Sequence, residues 1–162
     1  MYSKYSPLPL LTPLYIINRL EKFAASFDLK DWDMMKSCLI EKIFIDYSSF
    51  RNTAPTFIDS SEYIELRKIA MKNLNTSHSL SNFEIDISKY KSNILVCHCD
   101  FEIQRFSAIE KYKDSFYHSY GKYTFELILD TSEKWKEVWR ISKIKQEVER
   151  SEGDKKIHGA FK

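Results

Sequence analysis

Residues 23–39 read FAASFDLKDWDMMKSCL and contain one acid more than local structure requires. Asp31 reads as the cap of a helix that it opens, and Asp33 suits the first turn of that helix. Asp28 has no such reason. It falls where the preceding helix should end, and the partial negative charge there makes a carboxylate cost a few tenths to about 1 kcal/mol. A local rule broken without local gain points to a site of function. A solvated aspartate, or one accepting bonds from loop amides, is the plainer explanation of this residue taken by itself.

On the N-terminal side, Thr12 followed by Pro13 suits a helix opening, with a cap side chain and then proline in the first turn. Ile16, Leu20, Phe23, Ala24 and Phe27 recur at helical spacing, so a first helix is expected over about 13–27. A short second helix follows Asp31, with Trp32, Met35 and Leu39 on its inner side. KIFIDYSSF (42–50) is rich in β-branched and aromatic residues and is expected to be extended. RNTAP breaks it. A third helix is expected near Asp59, with Glu62 completing a capping box and Tyr63, Leu66, Ala70 and Leu74 facing inward.

The second half changes period. Phe83, Ile85 and Ile87 alternate with polar residues, as do Leu95, Cys97, Cys99, Phe101 and Ile103, and then Tyr123, Phe125, Leu127 and Leu129. Strands are therefore expected over about 78–88, 91–107 and 115–129, with DTSEK as a hairpin connection and EVWRISKIKQEV as a closing strand. Helices followed by long strands indicate an α+β fold, with the helices gathered on one side of a curved sheet and a cavity between the layers. Residues 1–150 read as one domain and 151–162 as a charged, mobile tail up to Phe161.

Composition narrows the function. The chain has 162 residues, enough for one core. Lys+Arg 25 against Asp+Glu 23 leaves a net charge of +2, too balanced for a dedicated nucleic-acid binder. Gly 3 argues against glycine-rich phosphate loops. No apolar run is long enough for a membrane helix, and SPLPLLTPLYII (6–17) is interrupted by proline. It reads as an arm leading into the first helix. Cys38, Cys97 and Cys99 are odd in number and lack a secretory context, so reduced thiols and a cytoplasmic location are expected.

An aspartate gains chemical meaning beside a histidine, whose tautomer it fixes while the ring moves a proton. His158 lies in the charged tail and is expected at the surface. His98 sits in CHC, where consecutive strand side chains point to opposite faces and cannot converge on a metal. His78 opens the first long strand and His118 lies near the start of the third. Both alternate out of step with the apolar residues that follow. A bulge would reset either strand, or the cavity face is the more polar one.

AASFDLKDWDMMKSCLIEKIFIDYSSF (24–50) resembles the N-terminal half of scytalone dehydratase and its SnoaL-like relatives in the nuclear-transport-factor-2-like superfamily. NTSHSLSNFEID is similar to the next landmark of that family, a histidine opening a strand shortly before an asparagine, here Asn82. YHSYGKYTFELI and VWRISKIK resemble its last two strands. The likeness spans roughly 14–148 and implies a cone-shaped, curved mixed or antiparallel sheet wrapped around N-terminal helices. Asp28 and His78 match the family's catalytic pair. Tyr47 matches one of two tyrosines that hold a water against the substrate carbonyl; Phe27 stands where the other should be. His118 falls near the family's second active-site histidine. Trp32 and Phe50 match apolar positions and, with Phe27 and Asn82, are candidates for lining the substrate site.

The resemblance thus implies a cofactor-independent dehydratase, isomerase or cyclase, without metal, acting on a small cyclic or polyketide-like ketone. Loss of one oriented donor at Phe27 costs on the order of 3 kcal/mol in such chemistry, so activity on scytalone itself is not expected. The alternative is a binding or assembly module with the same cavity and no turnover. Family members form dimers and trimers, and a homodimer or homotrimer is expected. Neither nucleic acid nor membrane is expected as a partner.

Overall fold

A computed structural model describes residues 8–91, 93–132 and 137–159. The chain runs α1 (Thr12–Leu29), α2 (Trp32–Ser37), β1 (Leu39–Asp46), α3 (Ser48–Arg51), β2 (Thr56–Asp59), α4 (Ser60–Met71), β3 (Leu74–Ile85), β4 (Ile94–Ser107), β5 (Phe116–Asp130) and β6 (Val138–Gly153). One curved sheet has the order β2-β1-β6-β5-β4-β3. The β1–β6 pair is parallel and the others are antiparallel. The expected α+β fold is found: a cone-shaped open sheet wrapped around the helices.

The apolar stripe of α1 lies on this sheet as its spacing requires: Ile16, Leu20, Phe23, Ala24 and Phe27 are all buried. The helix ends at Lys30, which takes a left-handed conformation (φ 51°) and donates to the carbonyls of Phe27 and Ser26. Asp31 then caps α2 by accepting from Met34 N at 2.9 Å. The turn between the two helices is therefore fixed at both ends, which sets where Asp28 points. The inner face of the sheet carries Leu95, Cys97, Cys99, Phe101 and Ile103 from β4 and Tyr123, Phe125 and Leu127 from β5, all buried.

Several local expectations give way to tertiary packing. Thr12 lies inside the helix, which Leu11 precedes without a side-chain cap; the Thr12 hydroxyl instead donates to Glu137 at 2.6 Å. KIFIDYSSF is extended only to Asp46, because Asp46 accepts from Ser48 N and Ser48 Oγ and turns Ser48–Arg51 into helix. Asp59 precedes α4 without a side-chain cap bond. The buried arc of α4 passes through Tyr63, Ile64, Arg67, Ala70 and Met71, so Arg67 takes the inward place expected of Leu66, which is exposed. Residues 151–159 are not a free tail: β6 pairs as far as Gly153, a 3-10 turn follows at Lys155–Ile157, and His158 is 3% exposed. Phe161, part of the DTSEK connection and the first residues of the N-terminal arm lie outside the described residues.

Candidate active site

Strand β3 lies beside the end of α1, and this contact answers the question raised by Asp28. Its carboxylate accepts three hydrogen bonds from β3: Thr76 Oγ1 at 2.9 Å, His78 backbone N at 2.8 Å and His78 Nδ1 at 2.6 Å. Three donors offset the unfavourable position at the helix terminus. The His78 side chain is 6% exposed and that of Asp28 26%.

The parity conflict at His78 is resolved by a bulge. The β3–β4 register shifts between Ser81 and Glu84, and Asn82 adopts φ 53°. Leu74, Thr76, His78 and Leu80 point inward before the bulge, and Phe83 and Ile85 after it. Asparagine tolerates this left-handed conformation better than most residues, and its side chain donates to Asp100 at 2.6 Å on the exposed side. Asn82 therefore shapes the strand and does not line the pocket.

Burial holds His78 below the ordinary imidazole value. The bond and charge of Asp28 pull it up, and the positive Arg105 adds to the lowering. For Asp28, burial raises the carboxyl, but the His78 bonds and charge together with Thr76 outweigh it and leave it below the usual aspartate value. Near neutrality the pair is then an anionic carboxylate and a neutral ring. Nδ1 carries the proton toward Asp28, and Nε2 is left as the basic nitrogen. The Phe27 ring stacks on the imidazole at 4.6 Å between centroids and 21° between planes.

His78 lines a small pocket with Phe27, Tyr47, Phe50, Arg51, Arg67, Met71, Ile103, Arg105, Tyr123, Gln146 and His158. Tyr47 Oη lies 2.8 Å from Tyr63 Oη, and Gln146 Nε2 donates to Tyr123 Oη at 2.7 Å. Burial raises the Tyr63 and Tyr123 phenols, which therefore stay protonated. The free space among these side chains is about 20 Å³, room for about one water. The roomy cavity expected between the layers is largely filled by the protein's own side chains. Wider clefts elsewhere, such as that of about 370 Å³ between Ser107, Tyr112, Asp154 and Ile157, do not contain the pair.

Of the candidates read from the sequence, Asp28, His78, Tyr47, Phe27 and Phe50 come together here. His118 does not. In β5 the inward positions are Tyr117, Ser119 and Tyr123, so His118 faces outward, between Phe106 and Phe116, and its Nδ1 accepts from Arg105 backbone N at 3.2 Å. Trp32 packs against the core at the start of α2 and is not among the cavity residues. In CHC, Cys97 and Cys99 are buried, while His98 on the other face bonds Thr124 Oγ1 at 3.0 Å.

Sequence reading missed Arg51, Arg67, Arg105, Tyr123, Gln146 and His158. Arg67 stands in the apolar arc of α4 and Arg105 in step with Phe101 and Ile103 on β4. A charge on core parity was the available signal. His158 carried none, because nothing local distinguishes it from the charged residues around it.

No protein-family model matches the chain, and no curated protein matches it. Solved structures do resemble it. The Kfla4162 protein from Kribbella flavida superposes with a TM-score of 0.79 at 19% identity, covering 91% of this chain and 95% of that one. A candidate scytalone dehydratase from Novosphingobium aromaticivorans DSM 12444 gives 0.72 at 13% identity over 90% and 89%. Hexachlorocyclohexane dehydrochlorinase LinA-type3 from Novosphingobium barchaimii LL02 gives 0.71 at 12% over 92% and 94%. At these identities the likeness establishes the fold, which is the cone-shaped fold that the sequence resemblance implies.

Proposed function

We propose that this chain is a small-molecule enzyme that removes a proton from carbon next to a carbonyl, leading to dehydration, isomerisation or ring closure. The observation that carries the reading is the 2.6 Å contact between Asp28 and His78 Nδ1, with His78 on the wall of a small pocket. Nε2 of His78 takes the proton, the electron pair of the broken C–H bond moves onto the carbonyl oxygen, and Asp28 steadies the imidazolium that forms. Return of that proton to a different carbon isomerises the substrate. Its delivery to a departing β-hydroxyl releases water. Tyr47 is the carbonyl-side donor: when Tyr63 donates to it, its own O–H is free for the developing enolate. Proton transfer of this kind requires no redox cofactor or metal.

The second reading, a ligand-binding or assembly module, is favoured by how little space the cavity holds. Catalysis requires the pocket to open, and the His158 side chain together with the long arginine side chains are the parts that must shift. A homodimer or homotrimer belongs to both readings, since Phe106 and Phe116 are exposed on the outer face of the sheet.

The test is exchange of α-protons for deuterium in D2O, followed by NMR, over a panel of cyclic ketones with and without a carboxylate. The proposal expects acceleration by the wild-type protein and at least about 100-fold less with His78→Gln. Equal exchange by both proteins, or no acceleration of any compound, refutes it. A pure binder would keep ligand affinity and stability in His78→Ala.

A further inference from the structure

The pocket is lined by three arginines, while the carboxylate bonded to its histidine, Asp28, is engaged by Thr76 and His78. Arg51 comes from α3, Arg67 from α4 and Arg105 from β4, and all three line the cavity that contains His78. Arg67 is 5% and Arg105 3% exposed. Among the described residues none of the three is paired with a carboxylate; the ion pairs are made by other residues. Arg105 donates to Ser119 Oγ at 2.9 Å. Among the described residues, the Nε atoms of all three arginines and Oε1 of Gln146 are buried without a hydrogen-bond partner.

Their company is aromatic. Arg51 lies over Tyr47 at 4.8 Å, Arg67 over Tyr63 at 4.9 Å, and Arg105 over Phe50 at 5.2 Å. A ring face compensates a desolvated cation only in part, and an unpaired buried charge is among the costlier features a fold can keep. Burial pushes Arg105 down to about 10 and also lowers Arg51, on which Arg67 acts as a second positive neighbour. Burial and the three arginines drive His158 down to about 2, so it stays neutral and adds no further positive charge. Gathering three cations on separate elements around one cavity makes physical sense if something negative joins them.

We infer that the ligand of this pocket is a small organic acid whose carboxylate is bound by Arg51, Arg67 and Arg105. The planar two-oxygen group fits the guanidinium fork and is smaller than phosphate, which matters where free space is so scarce. The carboxylate occupies the volume released as the guanidinium groups turn toward it. That the carbonyl of the same molecule faces His78 rests on the proposed function; the anion site itself does not.

Benzoate, benzamide and inorganic phosphate are titrated separately into the full-length protein at constant ionic strength by calorimetry. Benzoate is expected to bind at least about 10-fold tighter than neutral benzamide, and Arg67→Met and Arg51→Gln each to weaken benzoate by about 10-fold or more while leaving benzamide unchanged. Unliganded Arg67→Met is expected to melt at the same or a higher temperature, because an unpaired charge has been replaced by an apolar side chain. Arginines that merely cement the core would give a lower one. His78→Gln should bind benzoate within about threefold of wild type, so retained binding without proton exchange sinks the proton-transfer reading alone. Equal affinity for benzoate and benzamide, or benzoate binding indifferent to both arginine variants, overturns the inference. So does absence of benzoate binding at tens of millimolar, or a preference for phosphate.

Discussion

Asp28→Asn is the most informative single substitution, because it changes charge with almost no change in shape. The carboxylate accepts from Thr76 Oγ1, His78 N and His78 Nδ1. Asparagine has only one accepting oxygen, so at least one donor loses its partner and the others become bonds to a neutral acceptor. Bonds to charged groups contribute about 1.5–3 kcal/mol and neutral ones about 0.5–1.5. Partial exposure of Asp28 reduces the difference, and relief of charge at the helix end returns up to about 1 kcal/mol. A net loss of about 1–3 kcal/mol is expected, read as a lower urea midpoint near pH 7 with an unchanged slope. Because Asp28 titrates in the folded protein below the ordinary aspartate value of 3.8, its contribution is present above that value and fades as pH falls through the folded value. The two proteins should therefore converge in acid. A variant as stable as wild type near neutrality, or a gap undiminished in strong acid, would refute the view that these three bonds hold the carboxylate.

Other outcomes follow from the same geometry. His78 titrates below its unfolded value of 6.5, so proton-abstraction rates should rise along an acidic limb whose midpoint lies under 6.5 and then level off. Stability should fall as pH drops below 6.5, since the unfolded chain then binds the proton more readily. Tyr47→Phe removes a partner of buried Tyr63 and should cost about 1–3 kcal/mol in chemical denaturation besides slowing exchange. Gly121→Ala places a methyl group 2.0 Å from the Glu147 carbonyl oxygen, at the β5–β6 bulge. That backbone contact cannot relax cheaply, and a loss above about 2 kcal/mol or failure to accumulate soluble protein is expected.

How much of this was legible in the sequence depended on the length and regularity of each signal. The stripe of α1 and the alternation in β4 and β5 repeat over many residues, so tertiary structure had only to agree with them. A bulge was one of two ways to resolve the parity of His78, but its place at Asn82 was not legible: Ser81 and Asn82 are both polar, and nothing in them says that two consecutive residues face outward. The exposed edge strand β2 left too little pattern, with Ile58 alone turned to the core. Arg67 lost its place to Leu66 in the expected inner face because hydrophobicity ranks leucine first. The aromatic faces of Tyr47 and Tyr63, distant in sequence, make that buried position tolerable for arginine. Asp28 and His78 are 50 residues apart; the oddity of each was visible, and their meeting came from resemblance alone.

In the mechanism proposed, His78 waits as a neutral ring with its proton held on Nδ1 by Asp28. Long-range 1H–15N correlation of the imidazole in the full-length protein near pH 7 reads this directly. A protonated Nδ1 and an unprotonated Nε2 are expected; a proton on Nε2 alone, or on both nitrogens, would rule that state out.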